Sequence, residues 1–280
     1  MNHVAVGELW NANAEAWTKL ARAGHDVFRD QLNSPAFFKM LPPVNGLSGI
    51  DLGCGEGHNT RLLARRGAHM TAVDIAGNFI RLAQAEETRA PLGITYREAS
   101  AVELPFAEGA FDFGAAFMSF MDIPETERVL AEAFRVLRPG GFLQFSILHP
   151  CFHSPHRKAS RDEDGLVYAL EVGDYFIDAD GRVYEWTFGT APHSGRDRQP
   201  KFKLPRFHRP VSQWLNALID AGFVLERFAE PCPSAETVAL HPTLQEAQVV
   251  PYFLHVRVRK PGLPGNVGGV PSPRLDVAGV

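Results

Sequence analysis

The residues with the clearest chemical promise are Asp51, Gly53, Cys54, Gly55 and Gly57, in the run Ile50-Asp51-Leu52-Gly53-Cys54-Gly55-Glu56-Gly57. Three glycines on alternate positions leave one side of a turn without Cβ atoms. A ligand can then lie against bare backbone N–H groups at the start of a helix. Asp51 stands at the mouth of that turn. Its carboxylate would repel a pyrophosphate and suits a ligand that carries an ammonium group and no phosphate. Seventeen residues beyond Gly57 comes Asp74, followed by Ile75. An acid at the tip of the second strand of a βαβ unit is placed to accept hydrogen bonds from two ribose hydroxyls. Hydrogen bonds to a charged acceptor are worth ~1.5–3 kcal/mol. The dinucleotide fingerprint G-x-G-x-x-G does not fit: counted from Gly53, its third small residue falls on His58. That speaks against a nicotinamide-dependent oxidoreductase.

These residues need a strand, a turn and a helix to hold them. Gly46 to Leu52 supplies the approach, and Asn59 to Gly67 has apolar residues at helical spacing before a glycine stop. Residues 68–74 read as the second strand. With these elements in place, the stretch resembles motif I of the class I S-adenosylmethionine-dependent methyltransferases, with Asp74 in the position of their ribose-binding acid. Two further landmarks agree: Leu104-Pro105-Phe106 after a third strand at 94–99, and Leu137-Arg138-Pro139-Gly140-Gly141 before a fifth. The resemblance covers about 45–260 and is to the small-molecule, type 11-like branch. It implies a Rossmann-like, doubly wound seven-stranded sheet whose last strand is antiparallel. It also implies S-adenosylmethionine as cofactor, S-adenosylhomocysteine as product, and transfer of a methyl group to an oxygen or nitrogen atom of a small molecule. A non-catalytic module that keeps the cofactor pocket is the alternative. The resemblance puts Ser100 and Ala101 at the adenine edge, although the family carries Asp where Ser100 stands. It puts Phe117, Met118 and Ser119, at the end of the fourth strand (111–117), near the sulfonium methyl.

The remaining chain divides around this core. Residues 1–41 are helical in pattern, with Trp10, Ala14, Trp17 and Ala21 at three and four spacing and a break expected at Asn33-Ser34-Pro35. The cluster Arg22, His25, Asp26, Arg29 and Asp30 has two readings. It is either a solvated face with ion pairs worth ~0.2–0.5 kcal/mol each or a lid whose arginine meets a ligand carboxylate. The core occupies 42–148 and 210–260, with helices at 76–90, 125–137 and 212–221 and closing strands at 224–228 and 252–259. Between its halves, 149–209 is rich in aromatic residues and turns, which predicts an inserted cap of short antiparallel strands. Residues 261–280 are rich in Gly and Pro without periodicity and read as a mobile tail.

For chemistry beyond the cofactor, His149 is the first candidate base, since it sits just past the fifth strand and is held by Pro150; His153 and His208 come after it. Substrate contacts are expected from Trp17, Arg29, His149, Phe152, Trp186 and His208. His149, Cys151 and His153 lack a second ligand pair and a metal-site spacing, so no metal is expected. The net charge of −4 without a basic block speaks against nucleic acid. Three scattered cysteines, no signal pattern and no membrane-length apolar run point to a soluble cytoplasmic protein. The acceptor is expected to be a small molecule, and a homodimer is compatible with the sequence.

Overall fold

The structure is a computed structural model describing residues 1–190 and 201–262. The expected mobile tail lies, past Gly262, outside the described residues. In chain order the strands are β1 (Ser48–Leu52), β2 (His69–Asp74), β3 (Thr95–Glu98), β4 (Phe111–Phe117), β5 (Leu137–Leu148), β6 (His156–Arg161), β7 (Val167–Gly173), β8 (Arg182–Trp186), β9 (Phe202–Arg206), β10 (Val224–Ala229) and β11 (Phe253–Arg259). The helices are α1 (His3–Arg22), α2 (Ser34–Met40), α3 (His58–Ala64), α4 (Gly77–Arg89), α5 (Thr126–Val136), α6 (Val211–Asp220) and α7 (Ala235–Leu240).

Seven strands form one sheet in the order β10-β11-β5-β4-β1-β2-β3. Neighbours are parallel except for β11, which runs antiparallel to both β5 and β10. The nearly continuous apolar character of β4 and β5 follows from burial on both faces. On one face Leu52, Phe145 and Leu143 pack with Leu130 of α5 and Trp214 and Leu218 of α6. On the other, Phe113, Ala115 and Met70 pack with Phe37 of α2, Leu63 of α3 and Ile80 of α4. After β5 the chain forms two antiparallel pairs, β6–β7 and β8–β9, outside the main sheet. Among the described residues, no helix is long and apolar enough to cross a membrane.

Three local expectations are corrected. The first helical segment breaks at Ala23–Asp26, not at Asn33-Ser34-Pro35. A π turn (Arg29–Asn33) runs straight into α2 with helical backbone at the junction, so Pro35 sits inside a helical run, and the π turn just before it is where the regular ladder is interrupted. Strand β5 begins at Leu137, and Arg138 to Gly141 bulge out of its pairing with β4 between Phe111 and Phe113. The last two strands are not a simple hairpin: α7 and a 3-10 turn (Pro242–Gln248) lie between β10 and β11.

The π turn is locked to the sheet by buried polar groups. His255 of β11 stands beside Ser146 of β5 in the register. Its Nε2 meets Asn33 Oδ1 at 2.7 Å, and Asn33 Nδ2 donates to Ser146 Oγ at 3.2 Å. Asn33 Oδ1 can only accept, so Nε2 carries the proton of a neutral imidazole. Burial lowers the His255 pKa to about 4. At this residue the folded state therefore binds fewer protons than the unfolded chain between pH 6.5 and about 4, and its contribution to stability falls as pH falls through that window. Burial lowers His153 still further, to about 3, with the same sign. The buried carboxyls raised to about 6–8 act with the opposite sign over the same window, so the His255 contribution is read as a difference: urea unfolding at pH 7 and pH 5 should show wild-type protein losing stability relative to His255→Phe on acidification. A wild-type minus His255→Phe difference that is the same at both pH values would remove the argument.

Candidate functional site

Between β1 and β4 the chain switches from building one wing of the sheet to building the other. Such a switch point opens a crevice at the carboxyl ends of the strands. A cavity of about 650 Å3 lies there, floored by the loop after β1 and covered by the N-terminal helices and the β8–β9 pair. Its size is within the range of small-molecule sites.

The loop after β1 is held by its own donors. Gly53 and Cys54 N–H both donate to Val73 O, at 2.8 and 3.0 Å, and Gly57 N–H donates to Cys54 O at 3.0 Å. Gly55 N–H donates to Asp74 Oδ2 at 2.8 Å. Four of the loop's N–H groups, those of Gly53, Cys54, Gly55 and Gly57, are thus spent on fixing the turn. What the loop offers is close approach. Gly53 adopts φ +75°, and a Cβ there would stand 2.4 Å from the Cβ of Ser119, whose Oγ donates to Leu52 O at 2.6 Å. Gly55, at φ +54°, has open space where a Cβ would be and lines the cavity. Gly57 does not line it; it closes the turn against Tyr96.

Two carboxylates define the floor. Asp51 is buried. Its Oδ2 accepts from Thr60 Oγ1 at 2.5 Å, and its Oδ1 has no partner. Burial, with a smaller contribution from the charge of Asp74, raises its pKa to about 7. A buried acceptor left unpaired is costly, and this one borders the cavity. It fits a cationic ligand group. Asp74 accepts from Gly55 N–H and, at 2.9 Å, from Ala76 N–H. Each carboxylate oxygen keeps a second acceptor site. Burial raises the Asp74 pKa to about 6, while the two N–H bonds oppose the shift.

The other expected cofactor contacts, Cys54, Ile75, Ser100, Ala101, Phe117, Met118 and Ser119, also border the cavity. Met118 holds φ +56°, a strained value for a side chain with a Cβ. Of the expected substrate contacts, Trp17, Arg29, Trp186 and His208 border it, whereas His149 and Phe152 do not. His149 is corrected as a candidate base. Its Nε2 contacts Glu230 Oε1 at 2.7 Å and its Nδ1 accepts from Cys151 N–H at 3.2 Å, so both ring nitrogens are occupied. Phe152 packs on that ring, at 4.9 Å.

The charged cluster of the N-terminal segment faces inward. Glu56, in the loop after β1, receives Arg22 Nε at 3.2 Å and Arg29 Nη1 at 3.3 Å. Arg29 also donates to Asp30 Oδ1 at 2.7 Å and to Ala21 O at 3.3 Å. The solvated-face reading of these residues is therefore set aside. Trp17 of α1 meets Trp186 of β8 at 5.5 Å and Phe202 of β9 at 5.0 Å, which joins the helical cover to the strand cover. Asp122, not chosen from the sequence, borders the cavity with no hydrogen bond to its carboxyl among the described residues, and burial raises that carboxyl to about 8 against the opposing charge of Arg209. Its position just past a central strand was the available signal.

Residues 50–145 match the family described as a methyltransferase domain. Over 155 residues the chain is 32% identical to an O-methyltransferase of Penicillium expansum, covering 52% of this chain and 56% of that protein. Over 109 residues it is 33% identical to a ubiquinone biosynthesis O-methyltransferase of Xylella fastidiosa, covering 38% and 44% respectively. The chain thus spans about half the length of these curated relatives. The crystal structure of an S-adenosylmethionine-dependent methyltransferase from Mesorhizobium loti aligns with a TM-score of 0.65 at 28% identity, covering 80% of this chain and 96% of that one. The sheet order, the antiparallel last strand and these likenesses give the chain a class I methyltransferase fold, for which S-adenosylmethionine is the cofactor to test.

The Asp51 pKa of about 7 has a direct consequence for that cofactor. A cationic ammonium favours the ionised carboxylate, so affinity should rise with pH through neutrality, by roughly tenfold between pH 6 and pH 8. Calorimetry with S-adenosylmethionine should show this rise in wild-type protein and a flatter profile in Asp51→Asn. A pH-independent wild-type affinity would place the ammonium elsewhere. Gly53→Ala should abolish cofactor binding and lower stability by about 1–3 kcal/mol, read by calorimetry and thermal unfolding, because the new methyl meets Ser119.

Proposed function

We propose that this chain, a class I S-adenosylmethionine-dependent methyltransferase, transfers a methyl group to an oxygen or nitrogen atom of a small-molecule acceptor. The observation that carries the reading is the buried, unpartnered Oδ1 of Asp51 on the cavity floor, beside an Asp74 that retains acceptor capacity. In this reading Asp51 receives the ammonium of the methionine tail and Asp74 the ribose hydroxyls. Ser100 and Ala101 border the adenine, and Phe117, Met118 and Ser119 face the methyl. Arg29 spends three of its five N–H groups within the protein, and the remaining two serve the methionine carboxylate.

The bound cofactor supplies a methyl already activated on a sulfonium. The task left to the chain is to hold the acceptor in line and keep water out, which is worth effective molarities of about 10⁵–10⁸ M in well-oriented systems. Residues 1–41 and 149–209 act as lid and cap, fastened to each other through Trp17, Trp186 and Phe202. For a hydroxyl acceptor, Asp122 in its ionised form takes the proton as the new carbon–oxygen bond forms.

Calorimetry tests the reading. Wild-type protein should bind S-adenosylmethionine, and Asp74→Asn should weaken binding by about 1.5–3 kcal/mol. Asp74→Ala should do the same, and both variants should lower stability: alanine removes the acceptors of Gly55 and Ala76 N–H, and asparagine turns its own NH2 toward one of them. Unchanged affinity in Asp74→Asn would remove Asp74 from the ribose, and no binding by wild-type protein would overturn the reading.

A further inference from the structure

Building on the cofactor reading of the floor, we propose that the methyl acceptor is an aromatic acid whose anionic group pairs with Arg206 and whose ring lies along Trp186. The cavity is lined by charges of both signs. The carboxylates Asp51 and Asp74 come from β1 and β2, and the guanidiniums Arg206 and Arg209 from the end of β9 and the segment after it. The pairing of β8 with β9 sets Arg182 opposite Arg206, Tyr184 opposite Leu204 and Trp186 opposite Phe202. Side chains two apart share a face, so Tyr184, Trp186, Leu204 and Arg206 stand on one face of the pair, and all four border the cavity.

Arg206 lacks a counter-ion. Its Nη2 donates to His153 O and Ser154 O, both at 2.6 Å, and no carboxylate lies within ion-pair distance among the described residues. Arg157, which also borders the cavity, is by contrast paired with Glu246. Arg209 likewise has no carboxylate partner among the described residues: it donates to Met121 O at 3.4 Å, Ile123 O at 2.7 Å and Pro124 O at 3.0 Å, and its guanidinium lies over the Phe207 and Trp214 rings. Removing a guanidinium from water without an anion is unfavourable, and desolvation pushes both arginine pKa values down. The nearby Asp122 carboxyl, raised to about 8, is mostly uncharged at neutral pH and does not cancel the cations. His153 and His208 stay neutral through burial. The two carbonyl bonds use both Nη2 hydrogens and fix the guanidinium, which leaves Nε–H and Nη1–H to give single charge-assisted hydrogen bonds to an anion. Trp17 and Trp186, 5.5 Å apart and inclined at 32°, give the adjoining wall aromatic faces.

Benzoate and its neutral counterpart benzyl alcohol test this on the full chain saturated with S-adenosylhomocysteine, read by tryptophan fluorescence and calorimetry. Benzoate should bind at least about tenfold tighter than benzyl alcohol. Arg206→Gln should erase that preference while leaving S-adenosylhomocysteine and benzyl alcohol affinities within twofold (~) of wild type, and Arg206→Lys should keep part of it. Equal binding of the two probes by wild-type protein overturns the proposal while the cofactor reading stands. A preference that survives in Arg206→Gln overturns the role of Arg206. Failure of wild-type protein to bind S-adenosylhomocysteine overturns the cofactor reading and this inference with it.

Discussion

The Asp74 carboxylate ties the tip of β2 to the loop after β1, and the site depends on that tie. Its two oxygens accept Gly55 and Ala76 N–H, while Val73 O, one residue earlier, accepts Gly53 and Cys54 N–H. The glycine loop is therefore built onto the second strand, not merely placed beside it. Four backbone donors are consumed in the process, so what those positions give a ligand is room. The remaining acceptor sites of Asp74 and the free oxygen of Asp51 become the groups through which the floor can recognise anything. A charged acceptor fixed by two backbone donors is pre-organised, and it loses little entropy on binding.

The covering segments are anchored to this floor and to each other. Arg22 and Arg29 converge on Glu56, the one side chain between the last two loop glycines. Asn33 reaches the sheet through Ser146 and His255. Trp17 then carries the connection across to β8 and β9. A shift of α1 would break the aromatic contacts with the strands and strain the ion pairs on the loop together. The lid and the cap are thus expected to move as linked parts, which suits a reaction that must exclude water before the methyl moves.

Much of this was legible in the sequence because the evidence was local. Glycine spacing, the acid one strand later and the period-two and period-3.6 patterns are properties of short stretches, and the sheet follows from them. The failures are also physical. His149 was placed by its position after β5, but side chains alternate in direction along an extended chain. Its neighbours Leu148 and Pro150 border the cavity, and His149 points to Glu230, a partner eighty-one residues away. Spacing carries no information about such a partner. The inward turn of Arg22 and Arg29 depended in the same way on Glu56, which is distant from them in sequence and close only after folding. Ser100 shows the converse. Its alignment was enough to bring it to the cavity, since a short loop after β3 leaves little freedom.

The pair of floor carboxylates also explains why such a site is best understood together with its ligand. Their pKa values, raised to about 7 and about 6, mean that ionising them is harder in the folded chain than in the unfolded one. The sign is clear: each group favours folding while it stays protonated, and that contribution is lost as pH rises through its folded value. At neutral pH the floor is therefore a place where the fold works against its own charges. An ammonium beside Asp51 and hydroxyl donors on Asp74 reverse the sign of both terms, since they stabilise the ionised forms that burial penalises. Binding and local stability are in this way the same interaction, and the guanidiniums of Arg206 and Arg209 stand in the mirror situation, cations that desolvation disfavours and an anion would relieve.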